Sequence, residues 1–311
     1  MTTAFLMVLC GFAMLAAGGE ALVKGAVGLA EKLQIPPLVI GLTLVALGTS
    51  APELMVSVQA GLSGNPGIAV GNIVGSNIAN ILLVLGATAV ITPLVTDQKS
   101  LFRDGAFMML VSCVFLLFCF FGLITRAMAI FLLMALTLYL SGVYRQEKQS
   151  GGKDRDVGDA GQTGVFLAML LLGAGVVMVV WGADILVEGS VVLARGVGVS
   201  EAVIGLSLVA LGTSLPELAI SVLAAYRGEV GVAIGNIIGS NIFNICLILG
   251  VAGLITPLEI AVEIAGFDVW VMLAASFAVF AAVLARQPVG RMVGGVFLAA
   301  YVSYIAFIFL P

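Results

Sequence analysis

A glutamate occurs twice within apolar sequence, each time as the last residue of a Gly-Thr-Ser-x-Pro-Glu motif. The first motif occupies residues 48–53 and ends at Glu53, and the second occupies residues 212–217 and ends at Glu217. The segments around both motifs are apolar enough to span a membrane. A charge at that depth costs roughly 3 kcal/mol even on lenient scales, so each glutamate indicates a functional site.

The proline in each motif predicts a break in the helix that carries it. Pro52 and Pro216 have no N–H, and each ring clashes with the carbonyl of the glycine four residues earlier. A break frees backbone carbonyls, and irregular backbone at membrane depth persists only where it lines a cavity. Freed carbonyls beside a carboxylate make an oxygen-lined cation site.

A second motif, Gly-Asn-x-x-Gly-Ser-Asn-Ile-x-Asn, follows each glutamate, at residues 71–80 and 235–244. On a helix its first asparagine, its serine and its last asparagine lie on one face, four residues apart. The serine and last asparagine of each copy are expected to line the cavity: Ser76, Asn80, Ser240 and Asn244. The other asparagines line it too, or hydrogen bond between helices around a Gly-x-x-x-Gly crossing: Asn72, Asn77, Asn236 and Asn241.

The residue types in these motifs favour hard cations as ligands. The chain has no histidine, and its four cysteines are scattered, so only oxygen donors are concentrated here. Oxygen ligands suit Ca²⁺ and Na⁺ and disfavour transition metals. One Ca²⁺ matches the charge of two carboxylates, and several Na⁺ can occupy the same oxygens. No bound cofactor is expected.

The composition predicts an all-α integral membrane protein. Of 311 residues, 61% are hydrophobic and 10% are charged, too few polar residues to cover a water-facing globule of this size. With about 20 residues per crossing, ten apolar stretches predict ten transmembrane helices, of which helices 2 and 7 are broken at the motifs. The stretches lie near 4–29, 37–61, 66–93, 104–122, 125–144, 164–195, 201–225, 230–257, 268–285 and 290–310. The lipid bilayer is the expected environment, and neither a nucleic acid nor a protein partner is indicated.

The chain contains an internal repeat. Residues 37–94 align without a gap with residues 201–258, and 36 of the 58 pairs are identical. Each half then holds five spans, and because five is odd the second half enters the membrane from the opposite side. Inverted repeats are typical of transporters. The predicted organisation is a first five-helix repeat over 1–144, a polar linker over 145–163 and a second five-helix repeat over 164–311.

The distribution of basic residues predicts the orientation. Loops after odd-numbered spans carry ten basic residues: Lys32, Lys99, Arg103, Arg145, Lys148, Lys153, Arg155, Arg227, Arg286 and Arg291. Loops on the opposite side carry only Arg126 and Arg195. Because basic loops stay in the cytoplasm, both termini are expected outside and the linker inside, with the chain in the plasma (inner) membrane.

On these motifs the sequence resembles the cation/calcium exchanger superfamily, and within it the prokaryotic sodium/calcium exchangers, over essentially all 311 residues. The resemblance implies electrogenic exchange of three Na⁺ for one Ca²⁺, with spans one and six sliding against a core of eight helices. It implies ion-binding roles for Ala46, Thr49, Ser50, Glu53, Ser76 and Asn80 in the first repeat. In the second repeat it implies such roles for Ala210, Thr213, Ser214, Glu217 and Ser240. The resemblance implies that both glutamates and both threonine carbonyls hold Ca²⁺, and that the alanines, threonines and serines contribute backbone or hydroxyl oxygens to Na⁺ sites.

One position departs from the family pattern, which has aspartate in archaeal and potassium-dependent members where this chain has Asn244. The missing carboxylate argues against a K⁺ requirement and leaves two acids in the site. An H⁺/Ca²⁺ antiporter of the same superfamily is the alternative, although the Gly-Asn-x-x-Glu context typical of that branch is not found. An intramembrane enzyme using the glutamates as an acid/base pair lacks any other catalytic motif, so we expect a transporter and not an enzyme.

Overall fold

The computed structural model describes residues 2–64, 66–94, 98–149, 164–196, 212–285 and 288–309 of the chain. These residues are almost entirely helical, as predicted, with one pair of two-residue strands, β1 (Leu123–Ile124) and β2 (Leu258–Glu259). The helices are α1 Thr2–Leu33, α2 Pro37–Thr49, α3 Ala51–Leu62, α4 Pro66–Ile91, α5 Gln98–Phe120, α6 Arg126–Gln149, α7 Val165–Gly196, α8 Leu215–Tyr226, α9 Val230–Ile255, α10 Ile264–Leu284 and α11 Arg291–Phe309.

Within the described ranges, eight helices are each long and apolar enough to cross a membrane. Helices α2 and α3 together make a ninth crossing, bent by 45° where they meet. The predicted seventh span begins in residues 201–211, which lie outside the described part of the chain, and α8 is its described remainder. Helix α6 continues to Gln149, past the predicted start of the linker at residue 145.

The two longest helices, α1 and α7, pack along most of their length. They run antiparallel, because Gly11 faces Leu186 whereas Gly25 faces Leu172. Three glycines spaced seven residues apart lie on each side of this seam: Gly11, Gly18 and Gly25 on α1, and Gly175, Gly182 and Gly189 on α7. Small residues let transmembrane helices approach closely, so this seam joins α1 and α7 at backbone distance.

The α1–α7 seam leaves no room for side chains at its glycines. A Cβ added at Gly25 would lie 2.5 Å from the backbone nitrogen of Leu172, and one added at Gly175 would lie 2.6 Å from that of Leu22. The contacts between these two helices and the rest of the protein are made by side chains, as where the methyl groups of Val176 on α7 contact Gly48 on α2. The two long helices are therefore joined to each other more closely than to the core.

The core is built around α4 and α9, the most buried of the membrane-spanning helices in the described ranges. Helix α9 crosses α2 of the other half at glycines: Gly41 lies against the carbonyl of Val232, and Gly239 lies against Leu42. The last turn of α2, with its motif, is thereby held against the second half of the chain.

Short backbone pairings join the loops of the two halves. Strand β1, in the loop between α5 and α6, pairs antiparallel with β2, which follows α9. Leu94, which follows α4, forms the corresponding bridge with Val289, just before α11. Leu94 and Leu258 are matching positions of the repeat, so each half contributes to a pairing with the other.

Each half also contains a buried or half-buried Asp–Tyr hydrogen bond between two of its helices. The Tyr139 hydroxyl on α6 donates to Asp104 on α5 at 2.7 Å, and the Tyr304 hydroxyl on α11 donates to Asp268 on α10 at 2.9 Å. The two aspartates are matching positions of the repeat. These bonds fix how the last two helices of each half pack.

Candidate cation site

The first motif forms the junction between α2 and α3. Helix α2 ends at Thr49, Ser50 leaves the helical geometry with ψ 9°, and α3 begins at Ala51 with Pro52 in its first turn. Glu53 also lies in that first turn, where the positive end of the helix dipole favours a carboxylate by about 0.3–1 kcal/mol. Pro52 and Glu53 therefore act together, because the proline starts a new helix and the N-terminus of that helix lies at the glutamate.

The second motif has the same local structure in its described part. Ser214 precedes α8 with ψ 0°, and Pro216 and Glu217 lie in the first turn of that helix. Ala210, predicted to take part in a Na⁺ site, lies outside the described residues. Its counterpart Ala46 is fully buried, and its carbonyl accepts hydrogen bonds from the Ser50 amide at 3.0 Å and the Thr49 hydroxyl at 3.3 Å.

The structure brings the two glutamates together across the boundary between the halves. Each is only 1% exposed. The Ser50 hydroxyl of the first motif donates to Oε1 of Glu217 at 3.1 Å. The Thr213 hydroxyl of the second motif faces Glu53 in return. Each motif thus places a hydroxyl group against the carboxylate of the other motif.

The serines of the second motif also reach the carboxylates. Ser76 on α4 donates to Oε1 of Glu53 at 3.4 Å, and Ser240 on α9 donates to Oε1 of Glu217 at 3.5 Å. Both bonds are long, so they leave the carboxylates free to adjust to a ligand.

Asn80 and Asn244 occupy equivalent positions in α4 and α9 but make different contacts. Both are 1% exposed, and each begins a stretch of π-helix, Asn80–Leu85 or Asn244–Ile248. Such π-turns occur frequently at functional sites. Asn244 donates to Oδ1 of Asn77 at 3.1 Å, whereas neither polar side-chain atom of Asn80 has a hydrogen-bond partner.

Buried polar side-chain atoms without a hydrogen-bond partner are confined, in the described residues, to the repeated motifs. Six are oxygens and one is the Asn80 amide nitrogen. The oxygens belong to Glu53, Asn80, Ser214, Glu217, Asn241 and Asn244. Because a buried acceptor without a donor is costly, such a concentration indicates a ligand that accepts electron pairs.

Apart from the two carboxylates, the candidate ligands of the site are neutral oxygen atoms and not further acids. Among the described residues, no three His, Cys, Asp or Glu side chains are grouped so that they could hold a metal ion. Carboxylate, amide, hydroxyl and carbonyl oxygens are the ligands of hard cations, and Ca²⁺ takes six to eight of them. The donor set therefore fits the hard cations expected from the sequence.

The sequence interpretation missed two serines of the site and left open what two asparagines do. Asn72 donates to the Ser57 hydroxyl at 3.0 Å and to the Glu53 carbonyl at 3.2 Å. Asn236 makes the matching bond to the Ser221 hydroxyl at 3.0 Å. Of the two roles considered for these asparagines, hydrogen bonding between helices is the one observed. The repeat carried a signal for the serines, since each follows its glutamate by four residues.

Paired buried carboxylates between the halves of a multi-spanning helical chain define a membrane transporter for cations. The family model described as sodium/calcium exchanger protein matches residues 3–145 and 167–310. The chain belongs to this family, so the expectation of an ion transporter and not an enzyme is confirmed, and the ions of the family are Ca²⁺ and Na⁺.

Full-length relatives agree with this assignment. The chain is 38% identical over 312 residues to the putative antiporter CaxA of Alkalimonas amylolytica, covering 98% of each protein. It is 35% identical to the sodium/calcium exchanger MaX1 of Methanosarcina acetivorans, covering 99% of each. A solved structure of the sodium-calcium exchanger NCX_Mj, soaked with Na⁺ and Sr²⁺, matches with a TM-score of 0.84 and 32% identity over 97% of each chain.

Proposed function

We propose that this chain is a secondary active antiporter that exchanges Na⁺ for Ca²⁺ by alternating access, with three Na⁺ for one Ca²⁺ and without K⁺. The observation that carries the proposal is the set of six buried motif oxygens without a hydrogen-bond partner, which includes one carboxylate oxygen of Glu53 and one of Glu217. Two negative charges match one Ca²⁺, and the additional oxygens provide places for Na⁺. The named relative MaX1 is a sodium/calcium exchanger, which supports the same pair of ions.

The proposed ligands extend beyond the two glutamates. Ca²⁺ would be held by both carboxylates and by the carbonyls of Thr49 and Thr213. Na⁺ would share these oxygens and also use the remaining residues of the cavity: Ala46, Ser50, Ser76, Asn80, Ala210, Ser214, Ser240 and Asn244. Asn244 replaces the acid of potassium-dependent relatives, which is the reason for proposing transport without K⁺.

Burial of the carboxylates supports coupling between the two ions. A conformational change that carried both glutamates without a cation would carry two uncompensated charges through a low-dielectric environment, which is strongly unfavourable. Exchange is therefore obligatory, because the site changes sides only when ions neutralise it. The α1–α7 pair, joined internally at backbone distance, is the element proposed to slide against the core.

The test is ⁴⁵Ca²⁺ uptake by proteoliposomes loaded with Na⁺ and diluted into Na⁺-free medium. With K⁺ absent on both sides, the membrane potential is set by a thiocyanate gradient. Entry of one Ca²⁺ against three Na⁺ removes one positive charge, worth about 2.3 kcal/mol per 100 mV, so an inside-positive potential should accelerate uptake. A requirement for K⁺ on the Ca²⁺ side, or indifference to potential, would refute the proposed stoichiometry.

A proton-driven alternative is separated by a second arm of the same assay. Vesicles with an acidic interior and no Na⁺ on either side are diluted into alkaline medium containing ⁴⁵Ca²⁺. The proposal expects background uptake here and rapid uptake with Na⁺ inside. The opposite result would establish H⁺/Ca²⁺ antiport instead.

We further propose ten spans in two inverted halves, 1–144 and 164–311, joined by a cytoplasmic linker at 145–163, with both termini extracytoplasmic in the inner membrane. The excess of basic residues in loops after odd-numbered spans supports this orientation. Single cysteines introduced into the linker and at residue 2 of a cysteine-free variant should be labelled by a membrane-impermeant maleimide from opposite sides of the membrane.

A further inference from the structure

Asn236 connects the second glutamate to the first motif. It lies on α9 and is fully buried. Its amide nitrogen donates to the Ser221 hydroxyl at 3.0 Å and to the Glu217 carbonyl at 3.5 Å. Its amide oxygen accepts a hydrogen bond from the Thr49 hydroxyl at 3.1 Å, a shorter contact than the 3.3 Å between that hydroxyl and the Ala46 carbonyl. One side chain therefore contacts the acid-bearing helix of the second half and the last residue of α2 in the first half.

The equivalent residue in the first half, Asn72, makes two of these three contacts. Its amide nitrogen donates to the Ser57 hydroxyl and the Glu53 carbonyl, as Asn236 does to their counterparts. Asn72 is half-buried, whereas Asn236 is fully buried. Thr213 faces the Glu53 carboxylate just as Thr49 faces the Glu217 carboxylate, but no hydroxyl of the second half donates to Asn72 in the described residues, whereas Thr49 donates to Asn236. The repeat is symmetric in sequence at this point but not in its hydrogen bonds.

The nitrogen and oxygen of the Asn236 amide fix two different elements. The two donated bonds meet α8 at the glutamate itself and at the serine one turn later, so they set the rotation of that helix about its axis. The accepted bond holds the Thr49 hydroxyl at the end of α2, next to the break. A buried hydrogen-bonding group that loses its partner is costly, so the effects of changes at Thr49 and Glu217 should depend on Asn236.

We propose that Asn236 is a positioning residue that couples the ligands of the two halves, Thr49 and Glu217, so that binding at one orients the other. It touches no ion in this proposal, because its amide is engaged by protein groups. The repeat mate Asn72 sets its own glutamate helix but carries no signal between halves. This inference rests on the proposed function, since Thr49 and Glu217 are ligands only if the site binds the exchanged cations.

The test is a double-mutant cycle on the apparent KM for Ca²⁺ in the Na⁺-driven uptake assay. Thr49→Val removes the donated hydroxyl, Asn236→Leu removes the amide at similar size, and the double variant removes both. Each single change should raise KM by some factor. We expect the factor for the double variant to be at least about threefold smaller than the product of the two single factors, because both single changes break the same bond.

The matched control cycle pairs Thr49→Val with Asn72→Leu. Since no hydrogen bond joins these residues, their effects on KM should multiply to within about twofold. Thr49→Ser keeps the hydroxyl and should restore the coupling with Asn236→Leu, which a loss of packing at Thr49 alone would not explain. Equal coupling in the two cycles, or multiplication in both, would overturn the proposal.

A binding measurement keeps the coupling testable apart from transport. The purified variants are titrated with Ca²⁺, and separately with Na⁺, while the melting temperature in detergent is followed, and the same cycles are applied to the half-saturating concentrations. Absence of uptake by wild type would refute the proposed function, whereas independent effects in the binding cycles would refute the coupling. If Asn236→Leu does not yield folded protein, Asn236→Ser and Asn236→Ala take its place.

Discussion

Replacing a single glycine of the α1–α7 seam should destabilise the protein, although alanine is the better helix former. A Cβ at Gly175 would lie 2.6 Å from the backbone nitrogen of Leu22 and 2.7 Å from the carbonyl oxygen of Gly18. Cβ contacts essentially never fall below 3.0 Å, so the two backbones must separate by several tenths of an ångström. Overpacking of this kind costs about 1–3 kcal/mol.

The chain offers a matched control two residues earlier on the same helix. Gly173 is exposed, and a Cβ there would meet nothing within 4 Å. Gly173→Ala should therefore gain about 0.5–1 kcal/mol from helix propensity alone. The same gain is available to Gly175→Ala, so the difference between the two variants measures the cost of opening the seam.

The assay is thermal unfolding of the purified variants in one detergent, followed by the loss of the monodisperse peak in size-exclusion chromatography. With about 2–4 °C per kcal/mol, Gly175→Ala should melt about 2–12 °C below Gly173→Ala, and Gly173→Ala should melt at or above wild type. Equal melting temperatures for the two alanine variants would show that α1 and α7 are not held at backbone distance. The proposed sliding of the pair as one unit would then lose its support.

Three further outcomes are expected. Glu53→Gln and Glu217→Gln should each reduce Na⁺-driven ⁴⁵Ca²⁺ uptake to background, because each removes a ligand charge. The protein should still fold, because a neutral amide is less costly to bury than a carboxylate. Substantial uptake by either variant would refute the ligand assignment. Asn244→Asp adds a third carboxyl beside two like charges, so uptake should fall and become pH-dependent, as an uptake series from pH 6 to 9 would reveal. Burial and the neighbouring Glu31 raise the pKa of Glu229 above its usual value, so the folded state binds this proton more tightly than the unfolded chain. Its stability contribution is present at low pH and is lost as pH rises through the raised pKa, and Glu229→Gln should flatten the melting temperature over that range.

The helices of this protein could be predicted from the sequence because they depend on composition and chain length. Long apolar runs leave few alternatives to membrane-spanning helices, and the helix limits differ from the expected ones by a few residues. The differences arise at polar ends: α6 continues through charged residues to Gln149 because a helix can extend past the membrane surface into water.

The motifs that form the candidate site could be found in the sequence, but Ser57, Ser221 and the contacts among the side chains could not. Duplication identified the two motifs, and chemistry identified the proline break and the burial of the glutamates. The hydrogen bonds between the halves could not be read from the repeat, because two identical motifs predict identical surroundings. Both threonines face the glutamate of the other motif, but only the Thr49 hydroxyl also reaches an asparagine, Asn236, because α2 and α9 pack closely there.

The backbone pairings between loops bear on the order in which the chain is made. Leu123–Ile124 can form its backbone pairing only after residues 258–259 have been synthesised, and Leu94 can form its bridge only after Val289 has been synthesised. The amino-terminal half therefore leaves the ribosome with two loops whose backbone partners do not yet exist. These pairings can form only after most of the second half has been made, so they belong to the last steps of folding.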